Sequence, residues 1–390
     1  MNAKYFSLLA TLLFSSCLTE SLEVIESGPS FTDEEYATLS QELNIPRVID
    51  NFDITLAAHM SPSGREEQVD VDPARALLGR VLFYDNRLSS TGETNCSSCH
   101  KQELAFSDDV AFSKGINNQF TERNSIALAA VPNFQTSYDG VVASFSGETV
   151  QFFWDERAPS IQVQSRETIE NTIEMGHNLN ELAANLNEVA TYRILGRYAF
   201  GTEQLDPVLI TQALQDFCNS LVSANSRFDR LRDQELFGPQ ANNEPRWTTQ
   251  EQRGLGLYRN NCGACHSMDM TNPGVNAASN GLDLNPEDLG KGEHFGRAFN
   301  GIFKVPFLRN IELTGPYMHD GRFDTLEEVL DHYSNSIAPH INLHPLLQDE
   351  AGNPRNLNFS DEDKAALIAF LQTTTDERLI TEERFSNPFR

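Results

Sequence analysis

Cys96-Ser97-Ser98-Cys99-His100 has a counterpart at Cys262-Gly263-Ala264-Cys265-His266. Each is a C-x-x-C-H run, the attachment signature of a c-type haem. Two thiols three positions apart can add to the two vinyl groups of one porphyrin, and the adjacent imidazole then falls beneath the iron. A zinc site would instead bring two C-x-x-C units together without an obligatory histidine. A disulfide needs no histidine either. The chain is therefore read as a dihaem protein: Cys96, Cys99 and His100 hold one haem c, and Cys262, Cys265 and His266 hold the other.

At 390 residues the chain is long enough for two domains with their own cores. The long interval between His100 and His266 excludes a compact multihaem wire and leaves room for pocket walls. The formal charge is -27, from 29 basic and 56 acidic side chains. Such a surface repels nucleic acid and anionic lipid and steers towards cationic partners. Its plainer role is to keep a soluble protein dispersed.

Met1–Ser16 reads as an export signal, with Lys4 before the short apolar run Tyr5–Phe14. That run is too short to span a bilayer, which takes about 20 apolar residues. Phe14-Ser15-Ser16-Cys17 resembles a bacterial lipobox, with Phe where Leu is usual. Acylation of Cys17 would make a lipid anchor the sole membrane contact; ordinary cleavage nearby is the alternative. Either way the chain is expected in the periplasm. Of the six cysteines, Cys218 alone has no place at a haem or the signal, and its helix-like surroundings make it a buried structural thiol.

The expected organisation is a signal over 1–17 and an acidic, polar tether over 18–60. An N-terminal haem domain follows over 61–236 and a C-terminal haem domain over 247–380. Asp72-Pro73 supplies an N-cap and a proline at the first helical position, predicting a helix over 74–83 with Leu77, Leu78, Val81 and Leu82 inward. Phe237–Arg246 carries Gly238, two prolines and Asn242-Asn243 and reads as a linker. A helix over 250–258 should lead into the second motif. Strand-like alternation is scarce. The fold class is mainly α: two cytochrome c-like haem domains with long loops.

Further runs resemble the bacterial dihaem cytochrome c peroxidases, including their MauG-type relatives. They include Leu78-Gly79-Arg80-Val81-Leu82-Phe83, Ala105-Phe106-Ser107-Asp108, Arg123-Asn124-Ser125, Phe153-Trp154-Asp155 and Glu174-Met175-Gly176. Lys304-Val305-Pro306, Leu308-Arg309-Asn310 and Thr314-Gly315-Pro316-Tyr317-Met318-His319-Asp320-Gly321 complete a collinear set. The resemblance implies that the N-terminal haem meets hydrogen peroxide and the C-terminal haem handles electrons. It makes His100 and His266 the proximal ligands. It also makes Glu174 the distal acid–base group, Gln164 a distal-pocket residue and Trp154 an electron relay. Read without it, Glu174 is a surface or capping carboxylate and Trp154 ordinary packing. Asn124, Thr314 and Pro316 resemble an interdomain Ca²⁺ site of amide and carbonyl oxygens.

Two departures from the conventional peroxidases go together. Aligning Lys114-Gly115 puts Ile116, which cannot bind iron, where many members carry a histidine that caps the first haem. On the helix after His319, the position of the family's methionine ligand is Tyr333. That helix opens with the capping box Thr325-Leu326-Glu327-Glu328, and Tyr333 shares a stripe with Leu326, Val329 and Leu330. His332 points about 100° away. Tyr333 thus resembles the His–Tyr ligation of MauG, with His332 and Met318 as other candidate ligands and a plain core tyrosine as the alternative. Tyrosinate favours oxidised iron and methionine reduced iron, so an uncapped first haem suits a second haem that holds its electron poorly.

The reading that follows is an exported peroxidase that reduces hydrogen peroxide with electrons from a small redox protein, a cytochrome c or a cupredoxin. A MauG-type oxidase modifying a partner protein is the second reading, and a dihaem electron carrier the third.

Overall fold

A computed structural model of the chain describes residues 28–60, 67–69, 71–129, 151–267, 270 and 274–390. The export signal and Cys17 lie outside them. Helix α1, Asp33–Leu39, starts at a capping box: the Thr32 hydroxyl accepts from Glu35 N, and the Glu35 carboxylate accepts from Thr32 N. Strands β1 (Ile54–Leu56) and β2 (Glu67–Val69) form an antiparallel pair. Residues 28–60 are not the free tether that their acidic composition predicts. Phe31, Leu39, Leu43, Ile45, Ile49 and Phe52 are buried in the N-terminal core, so sparse apolar residues anchor a polar stretch.

Helix α2, Pro73–Tyr84, begins as its sequence predicts, with the Asp72 carboxylate accepting from Arg75 N at 2.9 Å and Pro73 in the first turn. It is buried on all sides rather than along one stripe. Even Arg80 is only 1% exposed. Its guanidinium donates to the carbonyls of Glu383 and Ser386, 2.7 Å each, near the chain's end. Helices α3 (Ile161–Glu170), α4 (Leu179–Asn187), α5 (Ala190–Phe200) and α6 (Pro207–Ser220) come next; α5 and α6 pack on α2, α3 packs on α6, and α4 on α5 and α6. Helix α7, Arg227–Phe237, follows.

In the second half, α8 (Thr249–Asn261) runs directly into α9 (Gly263–His266), which is the second C-x-x-C-H motif. Next come β3 (Ala277–Ala278), α10 (Gly292–Phe295) and β4 (Phe303–Lys304), which pairs antiparallel with β3. Helices α11 (Leu326–Asn335), α12 (Asp361–Gln372) and α13 (Glu377–Thr381) complete the chain. The second core gathers Leu255, Tyr258, Leu330, Leu367 and Phe370.

Both halves use one packing device. A Cβ added at Gly79 of α2 would lie 1.9 Å from the Ala213 carbonyl oxygen and 2.8 Å from Phe217 Cβ on α6. One added at Gly254 of α8 would lie 2.0 Å from the Ala366 carbonyl oxygen and 2.7 Å from Phe370 Cβ on α12. Glycine therefore lets the helix before each haem motif cross a later helix backbone to backbone. The repeat is one of packing, which the sequence shows only as the two motifs and their preceding helices.

The halves are also stitched together by exchange. Phe228 of α7 sits in the second core, while Leu379 of α13 and Phe385 sit in the first. Buried Arg309 pairs with Asp229 of α7 at 2.8 and 2.9 Å and donates to the Met270 carbonyl. The stretch over 237–246 folds back on α7, with Glu244 pairing to Arg227 and Arg230.

Candidate active site

A connected cavity of about 670 Å³ reaches from one C-x-x-C-H motif to the other, lined by Cys96, Cys99, His100, Cys262, Cys265 and His266. The two imidazoles are held alike. His100 Nδ1 donates to the Phe106 carbonyl (2.8 Å), and His266 Nδ1 donates to the Pro306 carbonyl (2.9 Å). A carbonyl only accepts, so Nδ1 carries the proton and Nε2 keeps its lone pair, the state of a metal-binding imidazole. Burial lowers the pKa of both rings and so favours the neutral form. Thiols, oriented imidazoles and a largely apolar wall fit a haem c at each motif. The acceptors Phe106 and Pro306 sit inside recognisable runs, but their role is invisible without coordinates.

Glu174 and Gln164 both face this cavity. Asn171 Nδ2 donates to Glu174 Oε1 at 2.9 Å, and Thr94 Oγ1 donates to the Glu174 carbonyl at 3.1 Å. Burial pushes the Glu174 carboxyl up to about 7, against weaker opposing pulls from Thr168 and Arg157. A carboxyl poised there exchanges protons readily near neutrality. Ile116 is buried beside the wall rather than on it: its N donates to the Ile173 carbonyl, and its Cδ1 would lie 2.7 Å from a Cβ at Gly176. Lys114 and Gly115 line the cavity in its stead, and the loop brings no imidazole there.

Trp154 lines the cavity. Its Nε1 donates to the Asn124 carbonyl at 2.8 Å, and its own carbonyl accepts from Lys304 N at 2.7 Å. Asn124, Thr314 and Pro316 line the same cavity. Asn124 N donates to the His319 carbonyl and Asn124 Nδ2 to the Val110 carbonyl. The Asn124 amide nitrogen is thereby engaged, leaving Oδ1 as the side chain's acceptor, which suits a Ca²⁺ ligand. Beside them Arg123 pairs with Asp155 (2.5 Å) and Asp288 (2.7 Å), and Arg157 pairs with Asp155 (2.7 Å). This network fastens the Trp154 segment to the second half; Arg123, Asp155 and Asp288 are too far apart in sequence to be paired by reading.

Helix α11 has the capping box its sequence predicts, Thr325 with Glu328. Tyr333 reaches the cavity with Leu326, Val329 and Leu330, while His332 turns away and bonds through Nε2 to the Asn280 carbonyl at 3.1 Å. Burial pushes the Tyr333 phenol up to about 12, partly opposed by a hydrogen bond with Asn280. Met318 also lines the cavity, and its sulfur accepts from Asn280 Nδ2 at 3.5 Å. Asn280 thus touches all three candidate ligands, and no sequence signal marks it. Cys218 lines the cavity too, and burial pushes its thiol up to about 12, as expected of an unreactive sulfur.

Residues 73–236 match the family described as di-haem cytochrome c peroxidase. A methylamine utilization protein MauG of Methylorubrum extorquens is 31% identical over 78% of this chain and 79% of its own length. A cytochrome c551 peroxidase of Nitrosomonas europaea is 28% identical over 78% and 80%. A solved MauG-like protein associated with microbial copper homeostasis superposes with a TM-score of 0.67 at 31% identity, covering 82% of this chain and 94% of that one. The fold and its paired motifs define a peroxidase-type dihaem oxidoreductase. The chain belongs to the dihaem cytochrome c peroxidase family, in its MauG-like subgroup.

Proposed function

We propose that this chain is an exported dihaem peroxidase that reduces hydrogen peroxide to water with electrons from a small redox protein. His266 would hold the C-terminal haem, which would accept those electrons, and His100 the N-terminal haem, which would supply them to peroxide. Each haem c, when bound, supplies the redox-active iron. His100 and His266 hold those irons, and Tyr333 is the second protein ligand at the C-terminal site. Glu174 takes the proton from the near oxygen of peroxide and returns it to the leaving oxygen, with Gln164 orienting the peroxide. Trp154 relays electrons between the halves, and Asn124, Thr314 and Pro316 hold Ca²⁺.

The observation that carries this reading is the Glu174 carboxyl, on the same cavity wall system as His100 and poised near 7. A solvated surface carboxylate would sit near its ordinary value and face outward. No helix among the described residues is long and apolar enough to cross a membrane; acylation of Cys17 would supply a lipid anchor, with ordinary cleavage nearby as the alternative. The likeness to proteins named MauG favours a second reading, oxidation of residues on a partner protein. Steady-state assays with reduced cytochrome c, reduced cupredoxin and candidate protein substrates separate the two. Turnover with a small donor supports the peroxidase; peroxide-dependent modification of a partner without such turnover supports the oxidase.

A further inference from the structure

A second cavity, of about 380 Å³, lies outside the haem cavity and is lined by Glu156, Asn276, Lys291, Phe295, Phe299 and Ile302, among others. Glu156 is only 2% exposed, yet its Oε1 takes no hydrogen bond among the described residues. A buried carboxylate oxygen without a donor is costly, so this atom marks a place where a donor belongs. Glu156 also holds a left-handed backbone, φ 57°, which favours glycine. A glutamate kept there against its backbone preference points to a use for its side chain.

The surroundings narrow the donor's chemistry. Glu156 Oε2 already pairs with Lys291 Nζ at 2.5 Å, and the buried Lys304 ammonium also acts on Glu156. Two cations already offset one carboxylate, so a further cation is repelled. An anion such as a carboxylate or halide has no hydrogen to donate and leaves Oε1 without a partner. What remains is a neutral O–H or N–H donor. Phe295 and Phe299 pack edge to face, their centroids 6.3 Å apart, with Lys291 Nζ 5.3 and 5.8 Å from the two rings. They are 48% and 39% exposed, leaving apolar ring surface at the cavity for a flat body.

We propose that this cavity binds a small neutral phenol, whose hydroxyl donates to Glu156 Oε1 and whose ring lies against Phe295 and Phe299. The site is independent of the peroxidase reading, because it rests on none of the haem-cavity residues.

Calorimetric titration of the dihaem protein with 4-methylphenol tests it, with toluene, benzylamine and 4-methylbenzoate as controls. The expected result is one equivalent of 4-methylphenol bound with the haem absorbance unmoved. Toluene should bind about tenfold more weakly or worse, the worth of a hydrogen bond to a charged acceptor, and the charged probes no better than toluene. Glu156→Gly suits the backbone at φ 57° and should lose the same factor while keeping its haem spectrum. Phe299→Ala, at a part-exposed ring, should weaken binding severalfold and serves if the glycine variant does not fold. Absence of 4-methylphenol binding would overturn the proposal, as would wild-type affinity in a folded variant. So would tighter binding of benzylamine, or a haem spectrum that shifts with occupancy.

Discussion

The indole nitrogen of Trp154 donates to the backbone carbonyl of Asn124 at 2.8 Å, and Asn124 N in turn donates to the carbonyl of His319 in the second half. The residue assigned to electron relay is therefore hung from one assigned to calcium. Loss of the ion should loosen Asn124 and disturb Trp154. Chelator-treated protein should lose peroxide turnover and regain it on adding Ca²⁺, whereas Asn124→Ala should need far more Ca²⁺ for the same recovery. Full turnover by calcium-free protein would remove calcium from the account.

Pyridine haemochrome quantitation should find two haems per chain. Cys262→Ala with Cys265→Ala should leave one. A single haem in the wild type, or a stoichiometric zinc content, would contradict the dihaem assignment.

Gly79→Ala and Gly254→Ala should each destabilise the fold by about 1–3 kcal/mol, the usual cost of forcing an extra carbon into a packed core. The added Cβ would meet a backbone carbonyl oxygen at 1.9 or 2.0 Å. Thermal unfolding of the haem-loaded protein measures the effect, and Gly256→Ala, where the added carbon meets nothing within 4 Å, is the control expected to leave stability close to wild type.

Tyr333 as an iron ligand predicts one high-spin and one low-spin haem in the EPR spectrum of the ferric protein. It also predicts reaction with peroxide without prior reduction. Tyr333→Met should raise the second haem's potential, since a neutral thioether replaces an anionic phenolate. An unchanged low-spin signal in Tyr333→Phe would leave Tyr333 a wall residue and turn attention to Met318, whose sulfur shares the cavity.

Local signals were the legible ones. Asp72-Pro73 and Thr325 with Glu328 start their helices through contacts within one turn, so reading the chain suffices for α2 and α11. The inward stripe of α11 separates Tyr333 from His332 for the same reason. What could not be read depends on partners distant in sequence. Arg80 looks like a surface cation until the Glu383 and Ser386 carbonyls are found beside it. Phe31 and Leu43 look incidental in an acidic stretch until the N-terminal core closes over them. Ile116 sits in the loop that alignment assigns to the haem cap, but its side chain turns to Gly176, a contact that only the tertiary fold reveals. Asn280 carries no motif, and its meeting with Tyr333, His332 and Met318 is purely spatial.

The central claim is that Glu174 performs the proton transfer of peroxide cleavage, and stopped-flow mixing of the protein with peroxide across pH tests it most directly. Burial holds this carboxyl near 7, above its ordinary value, so below about pH 7 it is protonated and cannot accept the peroxide proton. The wild-type rate should therefore rise as pH increases through about 7. Glu174→Gln should keep both haems, run about two to four orders of magnitude slower, the usual worth of a positioned acid–base group, and lose that pH limb. A Glu174→Gln protein reacting at the wild-type rate with the same pH profile would contradict the account.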